Sequence, residues 1–514
     1  MAPHETFDVR DLLDDDEAGT PRWGKILDQS RCIGCHACTT ACKSENAVPL
    51  GVTRTYVKAV EVGAFPQVRR SFQVTRCNQC EDAPCVAACP TSAMYRRPDG
   101  IVDFDKDACI GCKACIAACP YDAIFINPDD GSAEKCNFCA HRIDAGLEPA
   151  CVVVCPVEAI LVGDLDDPGS RVAAAAAREA VTVRRPEKET RPKVLYREAT
   201  QATLDPLAAR RPDGGLFMWS EQATGAHEVT SGAPGGANSA AAALLAYDVP
   251  HRMPWDWRVS LYTWTKGIAA GTYLVAAALA AAGALSWSDS VWLRAVPLVA
   301  LVLLAATGAI LVADLEHPRR FAFIFLRPQW RSWLVRGAVV ITAYGVVLGV
   351  HAGAGWAGAD GLVRWLAIAG APLAAATAVY TAFLFAQARA RDLWQSPLLA
   401  PHMLVQAIVL GAAVLLPFGP AAHDLRWVLA AAAAGQVAFV LGEIGLPHPT
   451  AHAHLAVHEL VRGRYALPFW AGLALAAIAV AAPWLGIAAT GPALAGVLLG
   501  EHAYVQSAQA VPLA

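Results

Sequence analysis

All sixteen cysteines of this 514-residue chain fall between positions 32 and 155, in four groups of four. Cys32, Cys35, Cys38 and Cys42 are spaced C-x2-C-x2-C-x3-C, and Cys109, Cys112, Cys115 and Cys119 repeat that spacing. Cys77, Cys80, Cys85 and Cys89 have a longer middle gap, and Cys136, Cys139, Cys151 and Cys155 carry an eleven-residue insertion before the last pair. Pro90, Pro120 and Pro156 each follow the last cysteine of a group. Three thiolates within seven residues can take three corners of one iron–sulfur cubane, while the fourth reaches the other cluster of a pair. Metal ligation then supplies much of the folding free energy, and little apolar core is needed.

Two other uses of cysteine fit less well. The chain starts with an acidic stretch (Asp14, Asp15, Asp16, Glu17), without an apolar run or twin arginine. A secretory signal, and with it a disulfide framework, is therefore not expected. Structural zinc brings two separated C-x2-C pairs around one tetrahedral ion and does not need the full C-x2-C-x2-C-x3-C-P run. The expectation is four 4Fe–4S clusters.

Charged residues make up 17% of the chain although its mean hydropathy is positive. The composition is split: a polar, cysteine-rich first half precedes a second half of Ala, Leu, Val, Gly and Trp. The net charge of −4, without a basic tract interleaved with aromatics, argues against nucleic-acid binding.

After an acidic lead-in over 1–22, a strand is expected from Trp23 to Asp28, with short β pieces at Phe72–Val74 and Ile101–Phe104. Helical turns at Val86–Ala88 and Ile116–Ala118 carry the last cysteines of their groups. The stretch from Cys32 through Cys42 to Asn46 resembles the opening of the four-cluster electron-transfer subunits of molybdopterin oxidoreductases, the polysulfide, dimethyl sulfoxide and formate-oxidising type. The insertion in the fourth group and the absence of proline after Cys42 fit that family, and the likeness covers about 23–208. It implies that the first and fourth groups share two clusters and the second and third the other two. The implied ligand sets are Cys32, Cys35, Cys38 with Cys155; Cys136, Cys139, Cys151 with Cys42; Cys77, Cys80, Cys85 with Cys119; and Cys109, Cys112, Cys115 with Cys89. An extended tail over 185–207 also fits the family. The Gly/Ala/Ser-rich run that follows reads as a flexible linker, taken as 209–255, where two usually separate subunits are joined.

From there on the chain reads as membrane-embedded. Apolar segments at 261–285, 291–313, 333–352, 363–386, 398–417, 427–446, 466–484 and 485–505 reach or approach the roughly 20 residues that cross a bilayer core. Pro483 and Pro492 crowd the junction of the last two. The fold class expected is an α+β ferredoxin-like multi-cluster domain followed by an all-α membrane bundle of about eight transmembrane helices over 256–514. Twelve Arg or Lys residues fall on the cluster side (Arg252, Arg258, Lys266, Arg319, Arg320, Arg327, Arg331, Arg336, Arg389, Arg391, Arg462, Arg464). Three (Arg294, Arg364, Arg426) fall opposite. That bias predicts a cytoplasmic cluster domain at the inner membrane; arginines that dock the acidic cluster domain would give the same pattern.

Lys266 to Tyr273, Asp314 to Phe321 with His317 between, Ser332-Trp333, Arg336-Gly337 and Tyr380 to Leu384 together resemble the NrfD-like, polysulfide-reductase-type quinone-reactive subunit, which binds no haem. The resemblance implies a quinone site, for which Lys266, Asp314, His317, Tyr380 and Glu443 are the candidates, with menaquinone or ubiquinone as substrate. Ionisable groups are costly in a membrane, so Lys266, Asp314, Tyr380, Glu443, Glu501 and His502, all toward cluster-side span ends, are informative. Snorkelling or helix–helix hydrogen bonding accounts for many of them, and Asp314 could simply pair with Arg319 or Arg320. His448, His452, His454 and His458 depart from the family; His454 and His458 could hold a metal, although a solvated interfacial helix is the commoner meaning. The function expected is an electron-transfer and membrane-anchor polypeptide between a separate molybdopterin catalytic subunit and the quinone pool. The competing readings are a hydrogenase partner and an ion-translocating module of a larger respiratory assembly.

Overall fold

The computed structural model describes residues 20–63, 66–210, 243–419 and 421–513. Most of the acidic lead-in, and 211–242 of the expected linker, lie outside them.

The cluster half is built from short strands that frame cysteine loops. β1 (Trp23–Asp28), where a strand was expected, sits inside a four-stranded sheet of order β8-β1-β10-β9, with β8 Ile160–Asp164, β9 Val181–Thr182 and β10 Val194–Arg197. β10 lies parallel to β1, so the expected extended tail is a structural strand that closes the domain. β2 (Thr55–Val62) and β3 (Arg69–Arg76) form an antiparallel pair. Two hairpins, β4 (Met94–Arg96) with β5 (Val102–Phe104) and β6 (Ile124–Ile126) with β7 (Ala133–Lys135), follow the second and third cysteine groups.

The linker expectation needs correcting at its far end. β11 (Ala243–Tyr247) adds to β2 as the third strand of the second sheet, so the chain is fastened to the cluster domain before it enters the membrane half. His251 completes the fastening. It lies between Asp122, just past the third cysteine group, and Asp248 at 3.2 Å. Burial works against charge on His251, but Asp248 and Asp122 outweigh it and raise its pKa to about 10, against 6.5 unperturbed. A raised folded-state pKa contributes stability that is complete below the unfolded value and lost as pH rises through the folded one. The fastening should therefore weaken between pH 6.5 and 10, read as growing protease sensitivity of the 243–256 segment that is absent in His251→Gln.

The membrane half is a helical bundle. Its helices are α1 (Trp257–Ala281), α2 (Val296–Ala313), α3 (Trp333–Trp356), α4 (Asp360–Gln387), α5 (Leu399–Leu415), α6 (Ala422–Gly445), α7 (Ala466–Val480) and α8 (Thr490–Ala510). By length and hydropathy six helices among the described residues qualify as spans, and a seventh if Ala451–Val461 and α7, bent by 72° at their junction, count as one. α1 is not among these; with it the bundle has the eight helices expected. α1 packs against α2, α4, α5 and α8 and is buried along most of its length, so it can carry Lys266 and three threonines without meeting lipid. Its approach to α5 explains Gly271: a Cβ there would lie 1.7 Å from the Ala407 carbonyl oxygen. Outer helices turn Val302, Val346, Trp365, Ile368, Leu441 and Leu467 outward, as a lipid-facing surface requires.

Candidate functional site

Twelve of the sixteen cysteines are buried, none is in a disulfide, and only Cys35 is exposed. In the first and third groups the loop turns alike: Gly34 and Gly111 have φ of 69° and 71°, and His36 and Lys113 after the second cysteine are also left-handed. These turns fold three cysteines back toward one centre.

Cys32, Cys35, Cys38 and Cys155 line one cavity. Cys89, Cys109, Cys112 and Cys115 line another. Cys42 lies within electrostatic reach of Cys136, Cys151 and Cys139, and Asn46 Nδ2 sits 3.7 Å from the sulfurs of both Cys42 and Cys139. Cys119 likewise lies near Cys77, and Cys80 and Cys85 near Cys119. Among the described residues no three His, Cys, Asp or Glu converge on a single ion, the histidines of 448–458 included.

The donor chemistry suits iron–sulfur clusters. Burial pushes the thiols up, Cys38 to about 11 and Cys42 and Cys119 to about 12. Grouped buried thiols stay neutral unless a cationic centre takes the place of their protons. Backbone N–H groups also point at sulfur, from Met94 to Cys89 at 3.3 Å and from Ala159 to Cys155 at 3.2 Å.

Two cations that sequence reasoning missed stand among these sulfurs. Arg76 ends β3 fully buried, with Nη1 3.1 Å from Cys151 Sγ, while its Nε and Nη2 find no partner among the described residues. Lys25 on β1 lies 3.8 Å from the same sulfur and 4.0 Å from the Phe138 ring centre. Burial alone would raise the Cys151 thiol; Arg76 and Lys25 override it and bring it down to about 7. A buried positive charge favours the reduced, more negative state of a neighbouring redox centre. Arg76→Gln should lower the midpoint potential of the centre that Cys151 serves by on the order of 100 mV, from a Coulomb change of about 2–3 kcal/mol at an effective dielectric near 20. Arg76→Lys should recover most of it. An EPR-monitored redox titration measures both.

The third cysteine loop is seated on the membrane helices. Trp255 Nε1 donates to the Cys112 carbonyl at 3.2 Å, His317 N to Ile110 O at 3.2 Å, and Arg320 Nη1 to Cys109 O at 3.1 Å. Lys113 pairs with Glu316 at 3.0 Å. A Cβ on Gly111 would strike Glu316 Cβ at 2.4 Å, so only glycine fits this left-handed position. The end of the second group docks beside it: Ser332 Oγ donates to Ala88 O at 2.9 Å and Gln387 Nε2 to Ala87 O at 3.0 Å.

The five candidates for the quinone site fall in three places. Asp314 and His317 belong to the docking seam. Asp314 lies 3.9 Å from Lys113 and 3.6 Å from Arg258, which corrects the expected pairing with Arg319 or Arg320. Lys266 and Tyr380 are together: Lys266 Nζ is 4.6 Å from the Tyr380 ring centre and donates to Thr381 Oγ1 at 2.6 Å and Ala378 O at 3.0 Å. Glu443 stands apart, accepting from Ser396 Oγ at 3.0 Å in a cavity between α5, α6, α7 and α8. Tyr262, absent from the sequence reading, is buried on α1 within electrostatic reach of Tyr380, Glu501 and Asp314. Nothing in its local sequence marks it.

Comparison with known proteins agrees with this division. Residues 23–44 match the 4Fe-4S binding domain family, 68–165 the 4Fe-4S dicluster domain, and 248–486 the family described as polysulphide reductase, NrfD. A tetrathionate reductase subunit of Salmonella typhimurium is 42% identical over 213 residues, 40% of this chain and 82% of the relative. The arsenate respiratory reductase iron-sulfur protein ArrB of Shewanella sp. is 36% identical over 223 residues, 34% of this chain and 95% of its own. Protein NrfC of Escherichia coli is 44% identical over 179 residues, 34% of this chain and 80% of its own.

Proposed function

Since the chain belongs to the iron–sulfur electron-transfer subunits of reductase complexes, joined here to a polysulphide reductase NrfD-type membrane domain, we propose that it links a separate molybdopterin catalytic subunit to the membrane quinone pool. Electron transfer and membrane anchoring follow from the family itself. The observation that carries the link to the membrane is the third cysteine loop lying on the helices, its Cys109, Ile110 and Cys112 carbonyls all hydrogen-bonded to the membrane half.

Four 4Fe–4S clusters, when bound in the four ligand sets set out above, supply one-electron carriers. The chain's own residues do the rest. The loops space the thiolates, Arg76 and Lys25 place positive charge beside Cys151, and the seam holds the Cys89, Cys109, Cys112 and Cys115 set nearest the membrane. Below that seam, Lys266 and Tyr380 offer a cation and a phenol that can hydrogen-bond a quinone oxygen, with Asp314 and His317 between them and the cluster domain. The relatives named for tetrathionate and arsenate reduction fit an oxidoreductase partner whose own substrate is a small oxyanion.

The native complex should contain molybdenum or tungsten and no nickel, measured by metal analysis after purification through a tag on this chain. Nickel would instead indicate a hydrogenase partner. We place the cluster domain on the cytoplasmic face of the inner membrane. Because Arg320 donates to the Cys109 carbonyl at the seam, the arginine bias is not purely topological. An amino-terminal tag on intact cells should resist added protease; ready cleavage would put the clusters outside.

A further inference from the structure

The buried polar groups of α5, α6 and α8 form a string that the electron path does not use. It begins at Glu443, near the end of α6, which is held by Ser396. Ser396 belongs to the loop that carries Asp392, the partner of Lys188 in the cluster domain, so this end faces the clusters. From Glu443 a cavity runs inward, with His402, Gln406, Gln436 and Glu501 in its wall. Gln406 Nε2 lies 3.5 Å from His402 Nε2 and donates to Glu501 Oε2 at 3.1 Å. A second, smaller cavity has Gln406 and Glu501 in its wall as well, and Lys266 on its far side.

Helical rise sets the depth. His402 is on the first turn of α5 and Gln406 one turn deeper, while Lys266 lies nine residues into α1 and Glu501 nine residues from the end of α8. At 1.5 Å per residue the last two are about 13 Å below the cluster-side ends of their helices. Two acceptors along the string are unmatched. Gln436 and Glu501 are each 4% exposed, yet Oε1 of each has no hydrogen-bond partner among the described residues. Orphaned acceptors facing a cavity call for water, and ionisable groups at membrane depth mark pathways rather than packing.

We propose that Glu443, His402, Gln406, Gln436 and Glu501 form a water-filled proton route from the cluster side to Lys266 and Tyr380. The route deepens the quinone reading above and rests on it. Reduction of a quinone to its quinol takes two electrons, delivered from the clusters, and two protons, one to each oxygen. The route supplies those protons from cluster-side water, and carries them outward when a quinol is oxidised. It does not require the quinone to enter the larger cavity.

The test uses the full membrane complex with its clusters reduced, mixed with excess soluble quinone in ordinary and in heavy water. Cluster reoxidation should be at least tenfold slower in Glu443→Gln and Glu501→Gln, with a larger solvent isotope effect and an unchanged quinone KM. A redox-induced infrared difference spectrum should lose its protonated-carboxyl band in Glu501→Gln. Wild-type turnover by quinone with both variants unaffected overturns the route and leaves the quinone reading standing. A raised KM without an isotope effect would make the cavity a quinone pocket and also overturn the route. Failure of wild type to be reoxidised by quinone overturns both. Should Glu501→Gln fail to assemble, Glu443→Gln, nearer the surface and able to keep its bond to Ser396, decides alone.

Discussion

Cys155→Ser is expected to strip the cluster assigned to Cys32, Cys35 and Cys38 and to spare the one assigned to Cys136, Cys139 and Cys151. In sequence Cys155 belongs with the latter three, so the result runs against chain order. Its sulfur instead lines the cavity of the first group, fixed there by the Ala159 N–H at 3.2 Å. Iron and acid-labile sulfide should fall by about a quarter from about sixteen of each per chain, and one EPR signal should disappear. Because ligation is also folding free energy, the loosened first-group loop, with exposed Ile33 and Cys35, should become protease-sensitive while the seam stays intact. Loss of the Cys136, Cys139 and Cys151 signal instead would reverse the assignment.

Lys266→Met and Tyr380→Phe should each leave every cluster reducible while quinone turnover falls at least tenfold, a loss of about 1.4 kcal/mol or more in transition-state stabilisation. The competing role for Lys266 is structural. Its ammonium ties α1 to α4 through Ala378 O and Thr381, and a staple of that kind stabilises without touching substrate. The two roles separate in the readout. A lost staple lowers thermal stability and leaves the rate per folded molecule unchanged, whereas a lost quinone contact does the reverse. Asp314→Asn serves as the contrast. Its carboxylate faces Lys113 and Arg258 at the seam, so its loss should slow delivery from the Cys109 loop as well as quinone turnover. Rapid-mixing kinetics with the clusters reduced beforehand distinguishes those steps.

Iron–sulfur binding was legible from spacing, because in the first and third groups three ligands within seven residues must meet at one centre whatever surrounds them. The spans were legible too, since bilayer thickness sets the length of an apolar run. The helices lie within a few residues of the expected segments, and the break near Pro483 falls between Val480 and Ala482. Local geometry reached no further. β11 follows a Gly/Ala/Ser-rich run and reads as more linker, and only its pairing with β2 makes it a strand. Arg76 and Lys25 are ordinary basic residues on strands until the fold buries them beside Cys151. Asp314, Lys266 and Glu443 looked equivalent, each a polar group near a cluster-side helix end, yet they occupy a docking seam, a helix–helix contact and a cavity wall. Short-range chemistry is written in sequence because ligand geometry and bilayer thickness act on neighbouring residues. The partner of a buried charge is chosen by elements far apart in the chain, and only their packing decides it.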